Sequence, residues 1–202
     1  YLRGLGAEAV GLIGFSLGLQ AIIRVLDMGL SSAVVRQMAR LGGQAERGEE
    51  LSEFFGTFER LFAGAALAIA GLTLALSPLV AAHWLHGEHL PQSQVTAAVA
   101  IISVQSAVLF LAALYHGALM GLERQLLFNG IRVAEACVSQ IGGVLLLIYW
   151  APRVEVVFGW QLAVSVVAAA VYGRAARAAL PAGGPGRFQF EHVRRVWAFA
   201  AG

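Results

Sequence analysis

The chain has 202 residues, of which 58% are hydrophobic and only 13% are charged. A soluble domain carries roughly 25% charged residues, so this composition excludes an ordinary water-soluble fold. The net charge of +2 gives no support to nucleic-acid binding, and the single cysteine, Cys137, excludes an internal disulfide.

Five segments are long and apolar enough to cross a bilayer, since a membrane-spanning helix needs about 20 mostly apolar residues. In chain order they lie at about 10–35, 60–82, 95–119, 129–150 and 154–172, and residues 193–202 begin a further helix. The segments are too long for strands and show no alternation of polar and apolar residues. The predicted fold class is therefore an all-α integral membrane protein. It has a transmembrane bundle in residues 1–175 and a linker between bundles, rich in Pro and Gly, in 176–192.

Arginine is concentrated in alternate connections between the predicted spans. The connections after the first, third and fifth spans contain most of it: Arg36, Arg40 and Arg47; then Arg124; then Arg174, Arg177, Arg187, Arg194 and Arg195. The connection His83–Gln94 has none, and the one near Trp150 has only Arg153. Basic loops stay on the cytoplasmic side of a membrane, so the Arg-rich connections are predicted to be cytoplasmic.

Three segments match sequence patterns of a known family. Arg3–Leu12 follows R-x-L-G-P-x-x-Y/F-G, with Ala7 and Val10 in place of the proline and the aromatic residue. Leu26–Ala39 follows L-D-x-G-L-x-x-A-x-x-R-x-x-A and is the most specific of the three. Gly117–Arg124 is similar to the connection between the family's fourth and fifth helices. On these segments the chain resembles the polysaccharide exporter and O-antigen flippase family, within the superfamily that includes multidrug exporters and lipid II flippases.

The resemblance implies that the chain is part of the N-terminal half of a two-lobed transporter. It would cover family helices two to six and the start of the seventh. The implied mechanism is alternating access, in which the lobes rock to move a lipid-linked oligosaccharide across the bacterial inner membrane. Energy would come from an ion or proton gradient or from substrate turnover. The implied partners are that substrate, the lipid bilayer, and the glycan polymerase and glycosyltransferases of the same pathway.

Arg24 and Asp27 are the first candidate site residues. They lie three positions apart and so share one face of a helix. A charge at mid-bilayer costs at least about 2.5 kcal/mol, so it is rarely found there without water or a partner. One hypothesis places both residues on a hydrated cavity, where Arg24 binds a pyrophosphate or an acidic sugar through its planar fork. The alternative is a structural Arg24–Asp27 pair near the cytoplasmic end.

Further polar residues lie inside the other apolar spans. Glu135 is a candidate for the same cavity, whereas Arg132 is better explained by snorkelling to the cytoplasmic surface. Gln20 and Gln105 either line a path for sugars or bond a neighbouring helix, and Gln140 has the same two interpretations. An interfacial anchor explains Glu59 and Arg60, which begin the second span. Two G-x-x-x-G patterns, at Gly14–Gly18 and Gly117–Gly121, predict close packing of helices inside the bundle.

Catalytic and metal chemistry receive little support from the sequence. His83, His86, Glu88 and His89 are close in the chain, but no second ligand cluster accompanies them, so no metal site is predicted. No nucleophile–His–acid arrangement, P-loop or dinucleotide fingerprint is recognisable, so we expect neither an enzyme nor a cofactor. Two other functions stay open. One is a multidrug or cation exporter of the same superfamily, and the other is a non-catalytic membrane subunit of a glycan-assembly pathway.

Overall fold

The structure is a computed structural model that describes residues 2–27, 29–83, 92–149 and 154–181. Within them it describes the side chains of 11–23, 25, 29–44, 46–80, 92–149 and 155–181. The predicted helix at 193–202 and most of the predicted linker at 176–192 lie outside these residues, as do residues 84–91 of the predicted connection His83–Gln94.

Six α-helices account for most of the described chain. They are α1 (Leu2–Asp27), α2 (Leu30–Gly42), α3 (Gly48–His83), α4 (Gln92–Gly121), α5 (Gln125–Tyr149) and α6 (Val154–Ala178). A short 3-10 helix, Ala45–Arg47, precedes α3. The four helices from α3 to α6 are long and apolar enough to cross a membrane. They confirm the second to fifth predicted spans and the all-α fold class, and α6 runs six residues beyond its predicted end at Tyr172.

The first predicted span is wrong in its C-terminal part. We expected one helix from 10 to 35, but α1 ends at Asp27 and α2 begins at Leu30. Between them Gly29 has a φ of 92°, a left-handed conformation that glycine adopts without steric cost. Continuous hydropathy concealed this break, because a single glycine hardly changes the average over the segment. Within the described side chains, α1 offers the shorter apolar stretch Gly11–Ile23.

Helix α2 is amphipathic rather than membrane-spanning. Val34 and Met38 are fully buried, whereas Arg36 and Arg40 are exposed on the opposite face. Its 13 residues span only about 20 Å, which is too short for a bilayer. This pattern is typical of a helix that lies along the membrane surface with its apolar face on the bundle.

Helix α4 is the centre of the bundle, and each of α1, α2, α3, α5 and α6 packs against it. Its apolar residues are distributed around the whole circumference, as expected for a helix enclosed by others. Close packing with α2 depends on Gly117 and Gly121, as the second G-x-x-x-G pattern predicts. A Cβ atom on Gly121 would lie 2.6 Å from the carbonyl oxygen of Val35. Gly14 and Gly18, by contrast, have no described atom within 4 Å of such a Cβ.

The main core lies between α2, α3, α4 and α6. It is built on aromatic side chains of α3: Phe54, Phe58 and Phe62 are almost fully buried, and Phe62 stacks on Phe110 of α4 at 5.1 Å between ring centroids. A smaller apolar cluster near the start of α4 joins Leu12, Ile102 and Phe158.

The outward surfaces of the long helices are apolar. Leu67 and Leu72 on α3 and Ile141 and Ile148 on α5 are exposed, although the bundle has a buried core elsewhere. Contiguous apolar surface of this extent is rare on soluble monomers. Together with the four candidate spans, it identifies the chain as a multi-pass membrane protein.

Candidate functional site: a polar cavity inside the bundle

A cavity of about 660 Å³ lies between α1, α4, α5 and α6. Its volume is within the roughly 300–1,000 Å³ typical of small-ligand sites. The polar side chains that line it come from all four helices: Gln20; Gln105, Ser106 and His116; Arg132, Glu135, Ser139 and Gln140; Gln161, Ser165 and Tyr172. A cavity so rich in hydrogen-bonding groups is unusual between membrane-spanning helices and is expected to hold water or a polar ligand.

Helical spacing explains how these side chains reach one cavity. On α5, Arg132, Glu135, Ser139 and Gln140 follow an i, i+3, i+7, i+8 pattern, which places them on one face. Gln161 and Tyr172 are separated by about 16 Å along α6, at about 1.5 Å per residue, so the cavity is elongated along the bundle axis.

The two ends of the cavity differ in chemistry. Helices α4 and α5 are joined by a short turn, so the end of α4 meets the start of α5. His116, Arg132 and Tyr172 are therefore at the end nearest that turn, which carries Arg124. Amides dominate farther from it, where Gln105 donates a hydrogen bond from Nε2 to Ser165 Oγ at 3.4 Å.

Three residues at the charged end, one of them aromatic, form a group that we call the open cluster: Arg132, Glu135 and Tyr172. Tyr172 donates its hydroxyl hydrogen to Glu135 Oε2 at 3.3 Å. The Arg132 guanidinium lies 5.9 Å from the centre of the buried Phe128 ring, in a cation–π contact. No described carboxylate forms an ion pair with Arg132. Among the described residues, the guanidinium thus borders the cavity without a carboxylate partner.

His116 faces the open cluster from α4. Its ring meets the Tyr172 ring edge-on at 4.3 Å and the Phe128 ring at 5.1 Å between centroids. Its Nε2 atom is buried and has no hydrogen-bond partner among the described residues, and the same holds for Ser106 Oγ. Buried polar atoms without a partner are rare in native proteins and often mark places where a water or a ligand binds.

A second Glu–Tyr–Arg group, which we call the closed cluster, joins α3, α4 and α6. Glu59 Oε1 accepts a hydrogen bond from the Tyr115 hydroxyl at 2.9 Å and pairs with Arg177 Nη2 at 2.5 Å. The Arg177 guanidinium also lies 5.9 Å from the centre of the Tyr115 ring. Glu59, interpreted above as an interfacial anchor, thus has a structural role between three helices.

The structure brings together three of the five predicted site residues. Gln20, Gln105 and Glu135 line the cavity, whereas the side chains of Arg24 and Asp27 lie outside those described. Gln20 donates a hydrogen bond from Nε2 to Ser16 Oγ at 3.2 Å. Both residues belong to α1, so this bond does not connect Gln20 to another helix. Arg132, which we interpreted as snorkelling to the cytoplasmic surface, is exposed and lines the cavity.

Sequence reasoning missed His116, Tyr172 and Gln161 as members of the site. No signal was available for Tyr172, since a tyrosine in an apolar span also fits an ordinary core position. Ser139 of α5 also lines the cavity and was missed, although the polar stripe at helical spacing on α5 places it on the same face as Glu135.

An apolar groove of about 360 Å³ lies on the outer side of α5 and α6. Val138, Trp160 and Val171 are among its lining residues, and Trp160 donates from Nε1 to the Val138 carbonyl oxygen at 3.3 Å. Glu135 lines both this groove and the polar cavity. The Glu135 side chain therefore borders both the polar cavity and the apolar groove.

No group of three or more His, Cys, Asp or Glu residues is suitably placed for a metal ion in the part of the chain that the structure describes. The predicted loop with His86, Glu88 and His89 lies outside that part. No family model matches the sequence, and neither a curated protein nor a solved structure matches it.

Proposed function

We propose that the chain is one lobe of a transporter that moves a lipid-linked oligosaccharide across the bacterial inner membrane by alternating access. The observation that carries this proposal is the polar cavity inside an apolar, membrane-spanning bundle. Keeping such a cavity in a membrane is costly, so it is best explained by a polar substrate that must pass.

The lining favours a sugar with an anionic group. Four glutamines and three serines provide neutral donors and acceptors, which suit the hydroxyl groups of a saccharide. Arg132 supplies a planar, permanently charged fork, which suits a phosphate or an acidic sugar. Arg24 and Asp27 of α1 are proposed as further members of this site. The Arg-rich connections are proposed to face the cytoplasm, which places the open cluster toward that side.

A multidrug or cation exporter is the second candidate function, and the same lining argues against it. Binding of organic cations is favoured by an excess of carboxylates. Among the described side chains that line the cavity, Glu135 is the sole carboxylate, and it is accompanied by Arg132 and His116.

A non-catalytic subunit of a glycan-assembly pathway is the third candidate. It would need no substrate path, so the cavity gives it no specific support.

The test is glycan export by the whole protein in cells that lack their own copy. Arg132→Gln removes the charge and is expected to lower export about 10- to 100-fold, because a charge-assisted hydrogen bond is worth about 1.5–3 kcal/mol. The matched control is Arg124→Gln, at the exposed turn between α4 and α5. We expect it to export like the wild type at equal membrane levels. Normal export by Arg132→Gln would show that the cavity cation does not bind the substrate.

A further inference from the structure

We infer that the apolar groove on α5 and α6 binds the hydrocarbon chain of an amphiphile whose polar head occupies the neighbouring cavity. The inference rests on the proposed function, because it concerns the same substrate, but it adds a separate site for the apolar part of that molecule. The ligand class is an anionic, polar head carried on a single long hydrocarbon chain.

The first argument is how α5 is held against α6. Near the start of α5 the Phe128 ring packs on the Tyr172 ring, with 5.8 Å between centroids. Near the other end a Cβ atom on Gly142 would overlap the Trp160 indole, so this ring lies directly against the glycine backbone. The residues of α5 that line the groove lie between these two contacts, in the range 131–138. The groove is therefore a space between two helices that are in contact at both of its ends.

The second argument is the size and chemistry of the groove. Apart from Ile131, Glu135 and Trp160, its lining consists of alanine and valine side chains. On α6 the lining extends from Trp160 to Val171, which is about 16 Å along the helix axis. The hydrocarbon core of a bilayer is about 30 Å thick, so the groove has the length of a chain within one leaflet.

The third argument is that the groove and the polar cavity share a boundary. Glu135 lines both, and the Tyr172 hydroxyl donates to its carboxylate from α6 at 3.3 Å. Along α6, Val164 lines the groove and its neighbour Ser165 lines the cavity. One layer of side chains thus separates the two spaces. A molecule with its head in the cavity reaches the groove with its chain by passing beside Glu135.

The covalent link between head and chain determines which amphiphile binds. Hydrocarbon in a bilayer is as apolar as the groove, so a free chain gains almost nothing by leaving the lipid. A chain whose head is bound in the cavity is held beside the groove at a high effective concentration, which raises the overall affinity about 100-fold or more. The groove is therefore expected to select chains that carry a head suited to the cavity.

A helix of a second copy of the chain is the rival occupant. The groove has a volume of about 360 Å³. A helix with its side chains is about 10 Å across, so a segment as long as the groove occupies more than about 1,000 Å³. Only individual side chains of such a helix would enter, whereas a single hydrocarbon chain fits along the whole groove.

The experiment is quenching of Trp160 fluorescence by brominated probes in lipid nanodiscs. The reporter is the whole protein with Trp84→Phe, Trp150→Phe and Trp197→Phe, and with phenylalanine at any further tryptophan, so that the emission comes from Trp160 in the groove wall. One probe, ω-bromododecyl phosphate, has an anionic head, and the other, bromododecane, has none. We expect the phosphate probe to quench saturably and at a mole fraction about 100-fold lower than bromododecane, whose quenching should rise only in proportion to its amount.

Three substitutions in the reporter locate the bound probe. Ala163→Phe adds a ring to the groove wall and should weaken the saturable quenching about fivefold or more through overpacking. Arg132→Gln removes the cation that borders the cavity and should weaken it about tenfold or more. Ala68→Phe, at an exposed alanine of α3 outside the groove, is the matched control and should quench like the unsubstituted reporter.

Several results would overturn the inference while leaving the proposed function in place. They are proportional quenching by the phosphate probe, no quenching by either probe because another helix covers the groove, and equally strong quenching by a chain-brominated phosphatidylcholine. Saturable quenching that Ala163→Phe or Arg132→Gln leaves unchanged would also overturn it, because the chain or the head would then bind elsewhere. Failure of the proposed function has a different signature, which is normal glycan export by Arg132→Gln.

Discussion

The closed and open clusters contain the same three residue types but are arranged differently. In the closed cluster, Tyr115 and Arg177 both donate to one oxygen of Glu59, so acid, hydroxyl and cation satisfy one another. In the open cluster, Tyr172 donates to Glu135, while Arg132 lies over the Phe128 ring and has no described carboxylate partner. In the first arrangement the cation is paired, whereas in the second the described residues leave it without a carboxylate partner beside a cavity.

This difference shows that residue type does not by itself distinguish a structural charge from a functional one. What distinguishes them is whether the partners of each charge are supplied by the protein. A cation whose hydrogen bonds are already made has little to offer a ligand, whereas an incompletely paired cation in a polar cavity gains from binding one. Five substitutions can break or sharpen this comparison.

The largest effect on stability is expected from Glu59→Gln. It leaves the Tyr115 hydroxyl and the Arg177 guanidinium without their anionic acceptor. Removing one member of a buried pair costs about 3–5 kcal/mol. The Glu59 and Arg177 side chains are 24% and 54% exposed, so we expect a smaller loss of about 1–2 kcal/mol in the free energy of unfolding. Thermal unfolding in detergent measures it.

Glu135→Gln is the matched change in the open cluster. No ion pair joins its carboxylate to a described cation, so the expected loss is below about 0.5 kcal/mol. Equal losses for Glu59→Gln and Glu135→Gln would mean that the two clusters do not differ in structural role.

Tyr115→Phe and Tyr172→Phe compare the two hydroxyl groups. Tyr115 donates to its carboxylate at 2.9 Å and Tyr172 at 3.3 Å. A hydrogen bond to a charged group is worth more when it is short and well aligned. We expect a loss of about 1 kcal/mol for Tyr115→Phe and less for Tyr172→Phe, measured from the same unfolding transitions. The reverse order would contradict the assignment of structural and functional clusters.

A small effect is expected from Arg177→Lys. Lysine keeps the charge near Glu59 and over the Tyr115 ring but loses the planar fork. Because Arg177 is more than half exposed, the expected loss is about 0.5 kcal/mol or less. Unfolding of this variant in low and high salt provides the check, since the remaining ion pair should weaken with added salt. A loss as large as that of Glu59→Gln would show that the guanidinium geometry, rather than the charge, stabilises the cluster.

The amino-acid sequence by itself determined the fold class and four of the membrane-spanning helices. Hydropathy and length are sufficient for this, because a segment in lipid must be apolar and must satisfy its own backbone hydrogen bonds. The sequence also predicted Gln20, Gln105 and Glu135 as candidate site residues. Each is a polar side chain inside an apolar span, and such a side chain needs a structural or functional explanation.

Only the tertiary structure decided which of those polar residues share a cavity and which charges are already paired. Glu59 and Arg177 are 118 positions apart in the chain, and no local pattern indicates that they meet. The same holds for His116, Arg132 and Tyr172, which come from three different helices. Their partnership depends on how α4, α5 and α6 pack and rotate against one another, and helical periodicity leaves that arrangement open.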